Sequence, residues 1–406
     1  MTTRREIYLD HAATTPVADE VVAAMLPLMG HKFGNPSSVH RRGDEARDVL
    51  AAARAQVAGL VGALPEEVVF TASGSEANNL ALRGMLAGAA SERRRLVVSS
   101  VEHPSVIETA RDLEASGFPL TIVPVDSSGV VNPSRLAEVL GPDVALVSIM
   151  WVNNETGTIQ PVAQLAELAH RAGARFHCDA VQAAGKLPID ITALRVDLLT
   201  IAGHKFNGPL GAAALIVRRR LRLKPIVTGG HQERTRRAGT ENLPAIAGFG
   251  LACARASRQL ADGHAATAAL MGERLWARLK GAVPGARLHG EAGLRLASIV
   301  NVGFPGVEGE ALLHELDARG ITVSTGSACS AASPGPSPVL LAMGLTADEA
   351  HASVRFSTGE GTSEADIDFV THAVPQAIAA LRALAEAPPR EQNELGGRAR
   401  VAGSRT

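Results

Sequence analysis

Four side chains that can do chemistry stand where apolar runs of the sequence end. His204 and Lys205 follow the run DLLTIAG, Asp179 stands near the end of RFHCDA, and His103 comes shortly after LVVSS. A lysine amine can bond covalently to an aldehyde, a carboxylate can hold a proton on a ring nitrogen, and an imidazole can stack on a flat ring. Gln182, three residues after Asp179, can donate a hydrogen bond to a phenolate oxygen on such a ring.

The segment FTASGSEANN predicts a strand-to-helix turn whose first N–H groups have no partner inside the helix. Such a turn can bind a phosphate, and Gly74 and Ser75 are the predicted contacts. A reactive lysine, an acid for a ring nitrogen, a stacking imidazole and a phosphate cradle are together what a pyridoxal-phosphate (PLP) enzyme requires. We therefore interpret these residues as a PLP site.

Each residue taken alone also has a structural explanation. A solvated lysine at 205, a helix N-cap at Asp179 and a structural histidine at 103 are the alternatives. Lysine is scarce in this arginine-rich chain, and Lys205 lies beside His204 at a predicted strand tip. This combination favours the PLP interpretation.

Seven apolar runs between residues 68 and 217 alternate with helix-like segments: VVFT, LVVSS, LTIVPV, VALVSIMWV, RFHCDA, DLLTIAG and AAALIV. This alternation predicts an α/β fold with a mostly parallel seven-stranded sheet. Ligands of open parallel sheets bind at the carboxyl ends of the strands, so the polar tips should meet in one crevice.

The pattern changes after Gly230, where a long helical stretch is predicted near Leu243 to Lys280. We expect a large PLP-binding domain over residues 19–250. Residues 1–18 together with 251–385 are expected to form a smaller α+β domain. The stretch 386–406 has no apolar periodicity and is expected to be a disordered tail.

Composition limits the partners. The chain of 406 residues has a formal net charge of -1 and only 3% aromatic residues, which argues against nucleic-acid binding. Met1 to Pro16 contains no apolar signal segment and no later run has the length of a membrane span, so a cytoplasmic protein without membrane contact is expected. The three cysteines are too scattered for a disulfide framework or a structural zinc site, and no metal is expected.

Cys329 lies in the segment STGSACSAASPGP, which is too polar and too interrupted by Gly and Pro to be core. We expect an exposed thiol on a mobile loop, able to act as a nucleophile. An incidental surface cysteine is the alternative. Cys178 lies in a predicted strand and Cys253 in an apolar helix, so both are expected to be small core residues.

The chain resembles the cysteine desulfurases of the NifS and IscS type, in their class I form, within the class V aminotransferase superfamily. The resemblance runs from about Tyr8 to Leu384 and rests on a collinear series: YLDHAATTP, GNPSSVH, FTASGSEANN, SVEHPSV, SIMWVNNETG, HCDAVQAAGKLPID, AGHKFNGPLG, GGHQERTRRAGTEN, STGSACS and SVRFS. It implies a fold-type I PLP homodimer that converts L-cysteine to L-alanine. It also implies that a sulfur-acceptor protein takes up the sulfur, with iron–sulfur cluster assembly among the destinations.

The resemblance also implies roles for single residues. Lys205 would form the Schiff base, His103 would move protons, and Cys329 would receive the sulfur as a persulfide. Arg355 would clamp the substrate carboxylate, and Thr240 would reach the PLP phosphate of the partner subunit. Further contacts to the substrate or cofactor are implied for Asn35, Asn154 and His204.

The chain departs from the family pattern at three positions. Ala202 stands where family members usually carry a hydroxyl, which predicts the loss of one phosphate contact. His231 and Thr235 stand where glycines are common. Three alternatives stay open: a selenocysteine lyase, which would not depend on Cys329, a PLP aminotransferase, and a catalytically silent PLP-fold scaffold for sulfur-carrier proteins.

Overall fold

The computed structural model describes residues 6–325 and 335–386. Cys329 lies outside the described residues, and so does the predicted tail except for Glu386, which ends a helix. The strands, in chain order, are β1 (Ile7–Tyr8), β2 (Val68–Thr71), β3 (Arg95–Ser99), β4 (Leu120–Val123), β5 (Val144–Ser148), β6 (Arg175–Asp179), β7 (Leu198–Ala202), β8 (Ala213–Val217), β9 (Arg287–His289), β10 (Ile299–Gly303), β11 (Ile321–Thr322) and β12 (Ser353–Ser357).

The helices are, in the same order, α1 (Asp19–Met29), α2 (Arg41–Val61), α3 (Gly74–Leu86), α4 (Pro104–Ala115), α5 (Pro133–Val139), α6 (Val162–Arg171), α7 (Leu243–Ala261), α8 (Ala265–Ala282), α9 (Gly309–Asp317), α10 (Pro338–Ala342), α11 (Ala347–His351) and α12 (Glu364–Glu386). Within the described residues, no helix is long and apolar enough to span a membrane.

A seven-stranded sheet forms the centre of the molecule, with the strand order β2-β8-β7-β6-β5-β3-β4. Only β8 runs antiparallel to its neighbours, β2 and β7. The other neighbouring pairs are parallel, so the predicted α/β fold with a mostly parallel sheet is confirmed. All seven apolar runs form its strands.

The central strands are buried over most of their length, which explains why they appear in the sequence as largely apolar runs. Every residue of β7 and β8 is buried. Parallel strands show this pattern because helices cover both faces of the sheet. On one face α3 packs against β7 and β8 through Leu80 and Ala81.

The helical stretch predicted near Leu243 to Lys280 is two helices. The chain turns between α7 and α8 at residues 262–264, where Gly263 has a φ of 73°. The apolar pattern continues across this turn because both helices bury a face, but they do so in different cores. Ala252 and Cys253 of α7 pack with the sheet-side core, whereas Leu275 of α8 belongs to a second one.

That second core gathers β1, β10, β12, α8, α9 and α12 around apolar side chains that include Ile7 and Phe356. Strands β12, β10 and β9 form an antiparallel sheet there, and β1 pairs with β11 in parallel. The N-terminal segment thus packs with residues that follow α7. The division into two domains near residue 250 stays a prediction, and α7 crosses that position.

Candidate active site

A cavity of about 360 Å³ opens at the carboxyl ends of β3, β6 and β7. Apolar walls include Met150, Val152 and Val181. The cavity brings together many of the side chains singled out in the sequence: Gly74, Ser75, His103, Asn154, Asp179, Gln182, His204, Lys205 and Arg355.

Lys205 is held in a short 3₁₀ turn, Gly203–Lys205, directly after β7. Glycine is needed at the start of this turn, because a Cβ on Gly203 would lie 2.8 Å from the ring of Phe249. The Lys205 amine donates hydrogen bonds of 2.7 Å to the carbonyls of Ala12 and Ala13. The N-terminal segment therefore positions the amine within the cavity.

His204 faces the same N-terminal segment, with its Nδ1 atom 3.2 Å from the Thr14 hydroxyl. Burial lowers the pKa of His204 to about 4, and the nearby charges of Lys205 and Lys186 act in the same direction. At neutral pH the imidazole therefore carries no charge.

Asp179 ends β6 and is almost fully buried. Its Oδ1 atom accepts a hydrogen bond of 3.0 Å from the N–H of Val181, and its Oδ2 accepts one of 2.7 Å from the side-chain amide of Asn78. The residues that follow form turns, so the alternative of a helix N-cap at Asp179 is wrong. The carboxylate closes a turn instead and faces the cavity.

His103 is the N-cap of α4, a position that the sequence analysis did not recognise. Its Nδ1 atom accepts a hydrogen bond of 3.1 Å from the N–H of Ser105. Since a backbone N–H can only donate, Nδ1 is unprotonated, and the proton of the neutral ring is on Nε2. The cap fixes the imidazole at the cavity wall.

Asn78 is a buried site residue that sequence reasoning missed. Its amide nitrogen donates to Asp179 and also, at 2.9 Å, to the hydroxyl of Ser105, which lies 2.8 Å from His103 Nδ1. One hydrogen-bonded chain thus joins the acid of β6 to the imidazole before α4. The signal was the position of Asn78, one helical turn after Gly74 in α3 and therefore on the same face.

The first turn of α3 points its N–H groups at the cavity. The Ser73 hydroxyl accepts from the N–H of Glu76 at 3.1 Å, which leaves the N–H groups of Gly74 and Ser75 without an intrahelical acceptor. A Cβ on Gly74 would lie 3.1 Å from a methyl of Val181. Glycine therefore lets the helix end approach the sheet closely.

Arg355 lies on β12 and is only 2% exposed. Its guanidinium donates to the carbonyl of Asn154 at 2.8 Å and to the carboxylate of Asp10 at 2.7 Å. A buried guanidinium held on two sides presents its planar fork in a fixed direction, which suits a carboxylate.

Asn35 and Thr240 are not among the residues that line this cavity. Both are exposed, and Asn35 accepts a hydrogen bond of 2.9 Å from the N–H of Ser37 in its own loop. Cys178 and Cys253 are fully buried, as predicted, and burial raises the pKa of both thiols. A buried, protonated thiol is a poor nucleophile.

Thr240 belongs to a segment with unusual backbone geometry. Glu233, Arg234 and Thr235 all have positive φ values, of 46°, 55° and 66°. Thr235 therefore adopts the left-handed conformation that explains why glycine is common there in the family. His231 has a φ of -93° and therefore does not adopt the left-handed conformation. A buried ion pair fixes the segment, because Glu233 accepts from Arg54 at 2.6 and 2.8 Å.

The cavity fits PLP in its chemistry. Unpartnered N–H groups at the start of α3 suit a phosphate, and the carboxylate of Asp179 suits a protonated ring nitrogen. The amine of Lys205 suits the aldehyde, and His103 lies at the wall where a ring would stack. Ala202 contributes only a methyl group to the lining, consistent with one phosphate contact fewer.

Comparisons with known proteins identify the family of the chain. Residues 7–370 match the family model described as aminotransferase class-V. The chain is 41% identical to cysteine desulfurase IscS of Methanosarcina thermophila over 97% of both chains. Among solved structures, a NifS-like protein superimposes with a TM-score of 0.86 at 33% identity, covering 93% of this chain and 100% of its own.

A second solved structure is described as SspA in complex with cysteine. It has a TM-score of 0.77 and 34% identity, and the match covers 88% of this chain and 99% of that one. The family model spans residues 7–370, a range that includes the strand tips that form the cavity. The chain belongs to the aminotransferase class-V family of PLP enzymes and, within it, to the cysteine desulfurases of the NifS and IscS type.

Proposed function

We propose that this enzyme converts L-cysteine to L-alanine and that Cys329 receives the sulfur as a persulfide for delivery to an acceptor protein. The observation that carries the proposal is the convergence of Lys205, Asp179, His103 and Arg355 on one cavity. The relatives named cysteine desulfurase support the same reaction.

Four groups of this chain would hold the cofactor. The N–H groups of Gly74 and Ser75 would bind the phosphate, Asp179 the ring nitrogen, and Gln182 the phenolate oxygen, while Lys205 would bond to the aldehyde carbon. Bound PLP supplies an electron sink that allows the Cα proton of an amino acid to leave.

The substrate would bind through its carboxylate to Arg355. The guanidinium must then exchange part of its contact with Asp10 for the substrate, since both carboxylates compete for the same donors. Asn154, whose carbonyl holds the other side of the guanidinium, keeps the fork in place during this exchange.

Two residues would move protons. The Lys205 amine, once released from the cofactor, is the base that removes the Cα proton of cysteine. His103 carries its proton on Nε2 and can deliver it toward the cavity, because Nδ1 is occupied by the Ser105 N–H.

Sulfur transfer would take place at Cys329, whose role rests on the sequence resemblance. The Cys329 thiolate attacks the substrate sulfur, so that an S–S bond forms and the Cβ–S bond breaks. The carbon that loses sulfur takes up a proton, and the product is alanine. The sum is cysteine plus enzyme thiol giving alanine plus enzyme persulfide, which needs no external oxidant.

We further propose a cytoplasmic homodimer in which Thr240 reaches the cofactor phosphate of the partner subunit. Thr240 is exposed and lies outside the cavity of its own chain, and the buried pair of Glu233 and Arg54 holds its segment in place. A sulfur acceptor in iron–sulfur cluster assembly is the destination that we propose for the persulfide.

Release of alanine and sulfide from L-cysteine with a reductant tests the reaction. The wild type should form both in equal amounts, and Cys329→Ala should form neither while it retains PLP. Cys253→Ala is the matched control, because its thiol is buried. Alanine formation that persists from selenocysteine in Cys329→Ala would favour a selenocysteine lyase. A PLP-loaded wild type without either product would refute the desulfurase.

A further inference from the structure

Lys186 is a second lysine beside the proposed catalytic amine. It lies in the turn after β6, and it shares with Lys205 the wall of a separate cavity of about 210 Å³. Among the described residues the only hydrogen-bond partner of the Lys186 amine is the side-chain oxygen of Gln182, at 2.8 Å, and the amine forms no salt bridge with a carboxylate there. A lysine in such surroundings needs an explanation, since ammonium groups in protein interiors are normally paired.

The contact fixes the orientation of the Gln182 amide. Because Lys186 donates to the oxygen, the amide nitrogen must face the other way, where it donates to the Ala12 carbonyl at 2.8 Å. The same carbonyl accepts the Lys205 amine at 2.7 Å. Lys186, Gln182, Ala12 and Lys205 thus form one connected chain of hydrogen bonds.

The charges around the pair single out Lys186 as the group that changes near neutral pH. Burial, with the charges of Lys205 and Arg355, lowers the pKa of Lys186 to about 7. His11 and His204 are neutral there, because burial lowers the pKa of each to about 4. Arg355 on β12 supplies its positive charge from the side of the cofactor cavity. The carboxylate that lines the same cavity as Lys186 is that of Glu360, whereas Asp179 lines the cofactor cavity at the end of β6.

We infer that Lys186 is a positioning residue for Lys205: it holds the Gln182 amide with its nitrogen toward the cofactor site, and its positive charge favours the uncharged form of the Lys205 nitrogen. The inference rests on the proposed function of Lys205 as base. A like charge close to an amine disfavours protonation of that amine, whichever substrate the enzyme uses.

The test follows the absorbance of the PLP-loaded enzyme against pH, without any substrate. The absorbance of the bound cofactor reports protonation of the Lys205 nitrogen. In Lys186→Met the midpoint of this change should rise by roughly one pH unit, because a neighbouring positive charge is gone. Lys186→Arg carries a positive charge at every pH, so its midpoint should not rise above that of the wild type. Lys224→Met, an exposed lysine elsewhere, is the control.

Lys186→Gln separates the two effects and serves if the methionine variant does not fold. It removes the charge but keeps a donor for the Gln182 oxygen, so its midpoint should rise while PLP stays tightly bound. Midpoints equal to the wild type in both neutral variants would overturn the inference. Because no turnover is measured, failure of the desulfurase reaction would leave this result interpretable.

Discussion

The side-chain amide of Asn78 donates a hydrogen bond of 2.7 Å to Asp179 and so ties the first turns of α3 to the end of β6. The same nitrogen donates to Ser105, next to His103. One amide therefore holds both Asp179, which we propose to contact the ring nitrogen of the cofactor, and the hydroxyl beside His103, which we propose to stack on the ring. The orientation of the Asp179 carboxylate therefore depends on the positions of α3 and α4.

Replacement of Asn78 by alanine should weaken PLP binding without unfolding the protein. The variant leaves Asp179 and Ser105 without their shared donor, at a cost of about 1–3 kcal/mol, or roughly a 5- to 150-fold weaker affinity. The dissociation constant can be measured from cofactor absorbance during dilution. Asn79→Ala changes the same residue type on the same helix outside the cavity and should bind PLP normally. Equal affinities for the two variants would contradict this role.

Arg355→Lys should raise KM for L-cysteine about 10- to 100-fold, because a lysine cannot give two parallel hydrogen bonds to a carboxylate. The value of kcat should fall much less, since the guanidinium binds the substrate in both ground state and transition state. Steady-state kinetics of alanine formation measure the two parameters. Arg319→Lys, which lies just after α9, is the control. A loss confined to kcat would be inconsistent with a carboxylate clamp.

Glu102 should make stability depend on pH. It is fully enclosed, accepts hydrogen bonds from Ser99 and from the Met150 N–H, and burial raises its pKa to about 8. A carboxyl with a higher pKa in the folded state stabilises the fold below the pKa of the unfolded chain, about 4.5, and that contribution is lost progressively as the pH rises from there through about 8. Glu102→Gln should remove this dependence.

Urea unfolding of wild type and Glu102→Gln over a pH series measures the difference. The variant should lie within about 1 kcal/mol of the wild type at pH 5 and gain relative stability as the pH rises to 9. Glu108→Gln, on the exposed side of α4, should follow the wild type at every pH. A variant that loses stability most at high pH would show that Glu102 is needed as an anion.

The ion pair between Glu233 and Arg54 should contribute strongly to the segment that carries Thr240. Both side chains are buried, and Glu233 also accepts from the N–H of Phe70 at 2.9 Å. Glu233→Gln leaves a buried guanidinium without its counter-charge, which should cost about 3–5 kcal/mol in unfolding free energy.

Glu138→Gln removes an exposed pair with Arg135 and should cost less than about 1 kcal/mol. Chemical unfolding of the two variants gives the comparison. If the two losses are similar, Glu233 does not fix its segment. A weaker hold on PLP in Glu233→Gln would in addition support the proposed contact of Thr240 across the dimer.

Much of the fold was predictable because the strands are buried on both faces and end in polar residues. All seven apolar runs form strands of one sheet. Lys205, Asp179 and His103 lie together at the carboxyl ends of these strands, because parallel strands end on the same side of the sheet. The break between α7 and α8 was not predicted. The dipeptide Asp262-Gly263, which is a turn signal, stands at the break between two long apolar helices.

The contacts that orient the site residues could not be read from the sequence. The Lys205 amine is held by carbonyls almost two hundred residues earlier in the chain, and Asn78 reaches Asp179 across a helix and a strand. Such hydrogen bonds depend on how distant segments pack, and the local pattern of apolar and polar residues does not predict them. The contact of Lys186 with Gln182 is local by comparison, because the two residues are only four positions apart in the chain.

The most direct test of the account is the mass of the peptide that contains Cys329. The PLP-loaded enzyme would be incubated with L-cysteine without reductant, alkylated and digested. The account predicts that this peptide gains one sulfur atom, in proportion to the alanine formed, and that the peptides of Cys178 and Cys253 gain none. Alanine formed in equal amount without any added sulfur on Cys329 would contradict the central claim.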